Sequence, residues 1–177
     1  MSLLNRKKLV SILVESANIP HMDSKDHQII AELQANGRLT NQELADRVNL
    51  SPSPCSRRVR LLEEAGVILG YKAVVDQKAL GLPITAFIRI KLDRHDDETV
   101  TRVEEQIGNM PEVIDLWLMT GRWDYQLRVL AADLEAYEGF VRGKLHRLAG
   151  ISAIDTSFAY GCVRQSNIVS IAPQVKP

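Results

Sequence analysis

Residues 40–62 read TNQELADRVNLSPSPCSRRVRLL. Thr40 with Glu43 three positions on forms a capping box, in which the hydroxyl accepts from a first-turn N–H and the carboxylate reaches back. Leu39 and Leu44 stand at the positions of a hydrophobic staple, and the helix they open is expected to end before Asn49. A further helix begins with Ser51 as N-cap and Pro52 at its first helical position, with Leu50 placed to staple onto Cys55. Pro54 still falls in the first turn, where no intrahelical bond is lost. Two helices joined by three or four residues, the second opening on a capped Ser-Pro, are the layout of a helix-turn-helix.

Upstream, a helix is expected from Asp23 or Ser24, with Ile29, Ile30 and Leu33 on one face and Gly37 as an αL stop. Downstream, Gly66 ends the third helix, and Ile68 to Val75 reads as a strand. From residue 84 the pattern changes. Strands are expected at Thr85 to Leu92, Glu112 to Met119, Tyr125 to Ala131 and Ser152 to Tyr160, with helices at Glu98 to Ile107 and Leu134 to Leu148. The resulting order, βαββαβ, is the ferredoxin-like arrangement, an antiparallel sheet with both helices on one face. The chain is therefore of the α+β class. It divides into an extension (1–21), a helix-turn-helix with its following strand (22–75), a linker (76–83), the βαββαβ segment (84–168) and a tail (169–177).

Strict alternation around residue 116 puts Ile114, Leu116 and Leu118 on one side of their strand and Val113, Trp117 and Met119 on the other. Only one apolar face can meet the helices. The second is expected to be buried against another copy in a symmetric homodimer.

The composition fits this organisation. With 177 residues and 45% of them hydrophobic, the chain is neither disordered nor low in complexity. No apolar run approaches the roughly 18 residues that cross a bilayer, so the chain reads as soluble. Arg6, Lys7 and Lys8 precede an apolar stretch interrupted by Ser11 and stopped by Glu15, which is not the pattern of a secretion signal. Cys55 and Cys162 are too far apart to form a metal pair and read as free thiols in a reducing cytoplasm. The 22 basic and 22 acidic side chains balance, so any nucleic-acid signal must be local.

One such signal exists. On a helical wheel, Cys55, Val59 and Leu62 share one side of the third helix, and Ser53, Ser56, Arg57 and Arg60 share the other. Arginine can meet guanine edges through two hydrogen bonds, and both serine and arginine can meet phosphate, so this side suits a major groove. Arg58 lies between the faces and reads as a DNA-backbone contact. The alternative is a solvated face on which the arginines pair with Glu63 and Glu64. Cys55 reads as a buried small hydrophobe rather than a redox switch.

Thr120-Gly121-Arg122-Trp123-Asp124 sits at the hairpin between two later strands. Glycine there permits close approach, and Asp124 is a candidate acceptor for a ligand ammonium. Trp123 either lines a ligand pocket or covers the hairpin, and Arg122 meets a carboxylate or solvent. His21, His27, His95 and His146 show no metal-ligand spacing, and no glycine pattern fits a phosphate loop. No nucleophile or base has a recognisable setting, so the chain does not read as an enzyme.

The stretches Gly37 to Asn41, Glu43 to Ala45, Leu50 to Cys55, Arg57 to Leu62 and Glu64 to Ile68 resemble the Lrp/AsnC family of transcription factors. The likeness continues through Met110 to Val113, Thr120-Gly121, Asp124-Tyr125 and Arg128-Val129. It implies a sequence-specific regulator that binds double-stranded DNA, with a winged helix-turn-helix and a C-terminal sensing domain that forms dimers and often tetramers or octamers. The expected DNA-binding set is Asn41, Gln42, Ser51, Pro52, Ser53, Ser56, Arg57, Arg58 and Arg60. The expected effector set is Thr120, Gly121, Arg122, Trp123 and Asp124, with an amino acid as effector. Cofactor, metal and membrane association are not expected.

Three features depart from the family pattern. Residues 1–21 precede its usual start, as either a basic arm or a misassigned start. Met22 replaces a common leucine, and Trp123 with Gln126 are less usual in the hairpin. An aromatic, branched-chain or sulfur amino acid is therefore compatible. The alternative from another class is an amino-acid-binding module or small-molecule enzyme on a ferredoxin-like dimer.

Overall fold

The computed structural model of the chain describes residues 21–164, 166, 168 and 169. The basic cluster at Arg6 to Lys8 and the last eight residues lie outside them. The described residues form two compact units, one holding residues 21–74 with 163, 164, 166, 168 and 169, the other holding Val75–Cys162.

The first unit contains α1 (Ser24–Ala35), α2 (Asn41–Arg47) and α3 (Pro52–Glu64). Asp23 caps α1 and exchanges hydrogen bonds with Asp26 in a capping box. Thr40 and Glu43 do the same for α2, as their spacing predicts. α2 ends with Asn49 at φ 53°, and the N–H groups of Leu50 and Asn49 return to the Ala45 and Asp46 carbonyls. That is a Schellman motif, with asparagine taking the left-handed position that usually selects glycine. Gly66, at φ 69°, closes α3 in the same manner through Val67 N–H to Leu62 O. Gly37 differs from its expected role. It is not left-handed, and its missing Cβ instead admits Tyr71, whose Cδ1 would lie 3.3 Å from that atom. Ile29, Leu44, Ala45, Val48, Cys55 and Leu62 make the core of this unit, which binds the three helices to one another.

The predicted strand over Ile68 to Val75 does not form. The segment is without regular structure, and Leu69, Tyr71, Val74 and Val75 are exposed. Its β-branched residues favour extended backbone, but a strand exists only with a partner for its N–H and C=O groups. Among the described residues no strand pairs with it.

The second unit contains β1 (Ile84–Leu92), α4 (Asp97–Gly108), β2 (Val113–Leu118), β3 (Tyr125–Ala131), α5 (Leu134–Gly143) and β4 (Ile151–Phe158). This is the predicted βαββαβ order, and the antiparallel sheet runs β2-β3-β1-β4. Ala86, Ile88 and Ile90 of β1 and Leu127 and Val129 of β3 share one core with Val100, Val103 and Ile107 of α4 and Phe140 of α5. Both helices therefore cover the same sheet face. α5 stops ten residues on, at Gly143, short of the predicted Leu148, and a 3₁₀ turn over Leu145–Arg147 buries Leu145 completely.

The parity expected for β2 is broken. Register shifts between Val113 and Asp115, so Val113 packs with Leu116 and Leu118 on the core, while Ile114 is exposed. An extra residue in one strand reverses the alternation beyond it. The sheet face away from the helices is also more polar than expected. Arg89 pairs with Asp155 and Arg128 with Asp115 there, between Phe87, Leu130 and Trp117.

Candidate nucleic-acid interface and effector hairpin

α3 opens on an unusual first turn. Ser51 occupies the N-cap position, but its side chain makes no capping bond. An N-cap oxygen can bond the N–H of the second or third helical residue, and Pro54 at the third position removes one of these two donors. The Ser51 hydroxyl is left exposed at the start of α3, and the Ser53 N–H is the remaining donor within positions 52–54.

Asn41 ties the two helix starts together, its side chain donating to the Pro52 carbonyl at 2.9 Å. Asn41, Pro52, Ser53, Ser56, Arg57 and Arg60 line one open concavity, bringing six of the nine predicted residues onto a single surface. Gln42 turns along its own helix to Asp46 at 3.0 Å. Arg57 is exposed and makes no ion pair with a described residue, whereas Arg60 meets Glu64 at 3.5 Å with both side chains mostly in solvent. Such an exposed pair contributes little and yields readily to a phosphate.

Arg58 departs from the predicted set. Its guanidinium lies 2.7 Å from Asp26 and 2.9 Å from Asp23, and both pairs are within the helical unit. The hydrogen bond to Asp26, with that to Asp23, holds the guanidinium pKa above its ordinary value. Two of its nitrogens are thus engaged within the helical unit. The pairing of arginines with Glu63 and Glu64 is realised at Arg60 alone. Cys55 is fully buried, and burial pushes its thiol pKa up, away from the reactive thiolate.

In the second unit the 120–124 hairpin joins β2 to β3, with Gly121 at φ 113°. Thr120, Gly121 and Arg122 are exposed, and Trp123 is half-buried between two guanidinium contacts, Arg89 at 5.8 Å and Arg122 at 5.5 Å from its ring centroid. Asp124 differs from the other four: it is buried, and each of its carboxylate oxygens has a partner within the unit. One oxygen accepts the Leu92 N–H at 2.8 Å and the other lies 2.8 Å from His95 Nε2. These contacts form an internal bracket that fixes the hairpin to the end of β1. His95 is the partner that sequence reasoning missed, since its 29-residue separation from Asp124 leaves no local signal.

Among the described residues no cluster of metal-ligating side chains occurs, and no helix is long and apolar enough to cross a membrane.

Comparison with known proteins agrees with both halves. Residues 22–68 match a winged helix-turn-helix DNA-binding family, and residues 85–169 match the Lrp/AsnC ligand binding domain. The chain is 35% identical over 150 residues to the DNA-binding transcriptional activator DecR of Escherichia coli, covering 85% of this chain and 99% of that one. It is 36% identical to the leucine-responsive regulatory protein of Rhizobium meliloti, over 85% and 96% of the two chains. A transcriptional regulator of Neisseria meningitidis, solved in complex with L-methionine, superposes with a TM-score of 0.80 at 34% identity, over 85% of this chain and 97% of that one. With a helix-turn-helix at one end and a ferredoxin-like ligand-binding unit at the other, the chain belongs to the Lrp/AsnC family of transcriptional regulators.

Proposed function

We propose that this regulator reads duplex DNA with the α3 face formed by Ser53, Ser56, Arg57 and Arg60, and that an amino acid held at the 120–123 hairpin modulates that binding. The observation that carries the reading is Arg57, an exposed cation without an ion pair to any described residue, beside Ser53 and Ser56 on one concave surface. Asn41, Gln42, Ser51 and Pro52 flank that surface and hold it to the DNA backbone. Two such faces in a homodimer meet successive major grooves about one helical turn apart.

An amino-acid effector is supported by the matched ligand-binding domain and by the L-methionine complex of the Neisseria relative. At the hairpin, Thr120, Gly121 and Arg122 present exposed polar groups and Trp123 an aromatic surface, with Asp124 supporting them from inside. Dimers form through the sheet face that carries Phe87, Leu130 and Trp117, and associate further into tetramers or octamers. The setting is cytoplasmic. An effector acts only through unequal affinity for two assemblies.

The test is a binding titration on a duplex selected by the chain from a random pool, repeated with each amino acid, L-methionine included. One amino acid is expected to change the midpoint. No change with any of them removes the effector part and leaves the DNA-binding part standing.

A further inference from the structure

The first turn of α1 holds both other helices of its unit. Lys25 Nζ donates to the Val48 carbonyl, the C-cap of α2, at 2.5 Å. Asp23 and Asp26 together hold the Arg58 guanidinium on α3, at 2.9 and 2.7 Å. Asp26 is only 14% exposed, Arg58 26% and Asp23 46%, so the Arg58–Asp26 arm in particular is better shielded from solvent than the Arg60–Glu64 pair at 68% and 61%. The two carboxylates are themselves locked by the capping box: Asp23 N–H donates to Asp26, and Asp26 N–H to Asp23. A planar guanidinium held at two nitrogens fixes orientation as well as distance.

Arg58 follows Arg57 directly and precedes Val59, which packs on the core of this unit. Rotation or sliding of α3 that would carry Arg57 and Arg60 off a base edge must break the two Arg58 contacts first. Resting on the reading that Arg57 and Arg60 face DNA, we propose that Arg58 is a positioning residue. Clamped by Asp23 and Asp26, it sets the placement of α3, and so operator discrimination, without itself meeting nucleic acid.

The competing role, a phosphate contact, predicts effects of opposite sign. If Arg58 were shared between the aspartates and DNA, neutralising Asp26 would release it and tighten binding to every duplex. If Arg58 is a clamp, the same change loosens α3. The full-length chain is titrated by anisotropy against a duplex it selects from a random pool and against a scrambled duplex of equal length, over a range of salt. The variants are Arg58→Ala, Asp26→Asn and Arg57→Ala. Asparagine at 26 can still accept the Asp23 N–H, so α1 stays capped.

Arg58→Ala and Asp26→Asn are each expected to lower the ratio of selected to scrambled affinity by about tenfold. The affinity for scrambled DNA and the salt slope should stay as in the wild type. Tighter binding by Asp26→Asn, or a salt slope reduced by about one in Arg58→Ala, overturns the proposal in favour of a phosphate contact. An unchanged ratio in both overturns it outright. Should Arg58→Ala not fold, Asp26→Asn decides. Arg57→Ala reads the underlying premise separately: an unchanged ratio there means that the α3 face, rather than the clamp, has been misassigned.

Discussion

His95 Nε2 lies 2.8 Å from one carboxylate oxygen of Asp124, while the other accepts the Leu92 N–H at the same distance. The Asp124 backbone is also committed, its N–H to Ile90 O and its carbonyl to Met119 N–H. The hairpin is therefore pinned to the end of β1 at one residue. Asp124→Ala is expected to destabilise the sheet unit by roughly 2–3 kcal/mol, because a buried N–H loses its charged acceptor. His95→Ala should cost less, about 1 kcal/mol: one oxygen of the buried Asp124 carboxylate loses its partner, but the carboxylate keeps the Leu92 N–H. Thermal unfolding of the two variants checks the order, and equal stability of wild type and Asp124→Ala would refute the bracket.

Two glycines separate strain from crowding. At Gly121, φ is 113° and a Cβ would meet nothing within 4 Å, whereas at Gly150, φ is 101° and a Cβ would lie 2.7 Å from Thr99 Cγ2. Alanine at 121 should cost about 1 kcal/mol from backbone strain alone. Alanine at 150 should cost about 2–4 kcal/mol, with the clash added. Melting temperatures that place Gly121→Ala below Gly150→Ala would contradict this.

Acid should weaken the caps. The Asp26 N–H bonded to Asp23, the Thr40 N–H bonded to Glu43 and the Thr99 N–H bonded to Asp96 each hold their carboxylate below its usual pKa. A carboxylate with a depressed folded-state pKa contributes stability that is fully present above its unfolded value, and the contribution fades as pH falls through the folded value. The stability curve is expected to be flat in these contributions near neutrality and to fall below about pH 4. Asp23→Asn combined with Glu43→Gln should flatten that acid limb for the helical unit, as read by helical circular dichroism. An unaltered limb would contradict the assignment.

Arg57 and Arg60 should not be equivalent on DNA. Arg57 has no ion pair to give up among the described residues, while Arg60 must leave Glu64. Arg57→Ala is expected to cost roughly 1–3 kcal/mol on a selected duplex and to relax specificity at one base pair. Glu64→Gln should strengthen binding slightly by freeing Arg60. Equal, sequence-independent losses for both arginines would mark them as phosphate contacts.

The parts that were legible in sequence were local or periodic. The Thr40–Glu43 and Ser51-Pro52 signals each span at most four residues, so the starts of α2 and α3 follow from sequence, as does the βαββαβ order. What escaped was nonlocal. Arg58 meets acids 32 and 35 positions away, and Asp124 meets a histidine 29 away. Wheel and spacing arguments see neither. The bulge after Val113 has no signature in its residue types, and one inserted residue was enough to move Val113 to the core and Ile114 out of it. The segment after Ile68 has strand-like residues, but pairing depends on a neighbour. Ser51 shows the reverse case: its residue type fits a cap, yet its side chain makes no capping bond, and a proline three positions on removes one of the two donors it could use.

The central claim is that the α3 face reads sequence. Its most direct measurement is the ratio of affinities for a selected and a scrambled duplex, at two salt concentrations, for the wild type and for Arg57→Ala with Arg60→Ala. The ratio should collapse toward one in the double variant while its melting temperature is unchanged, as expected for exposed side chains outside the core. A double variant that discriminates as well as the wild type would contradict it.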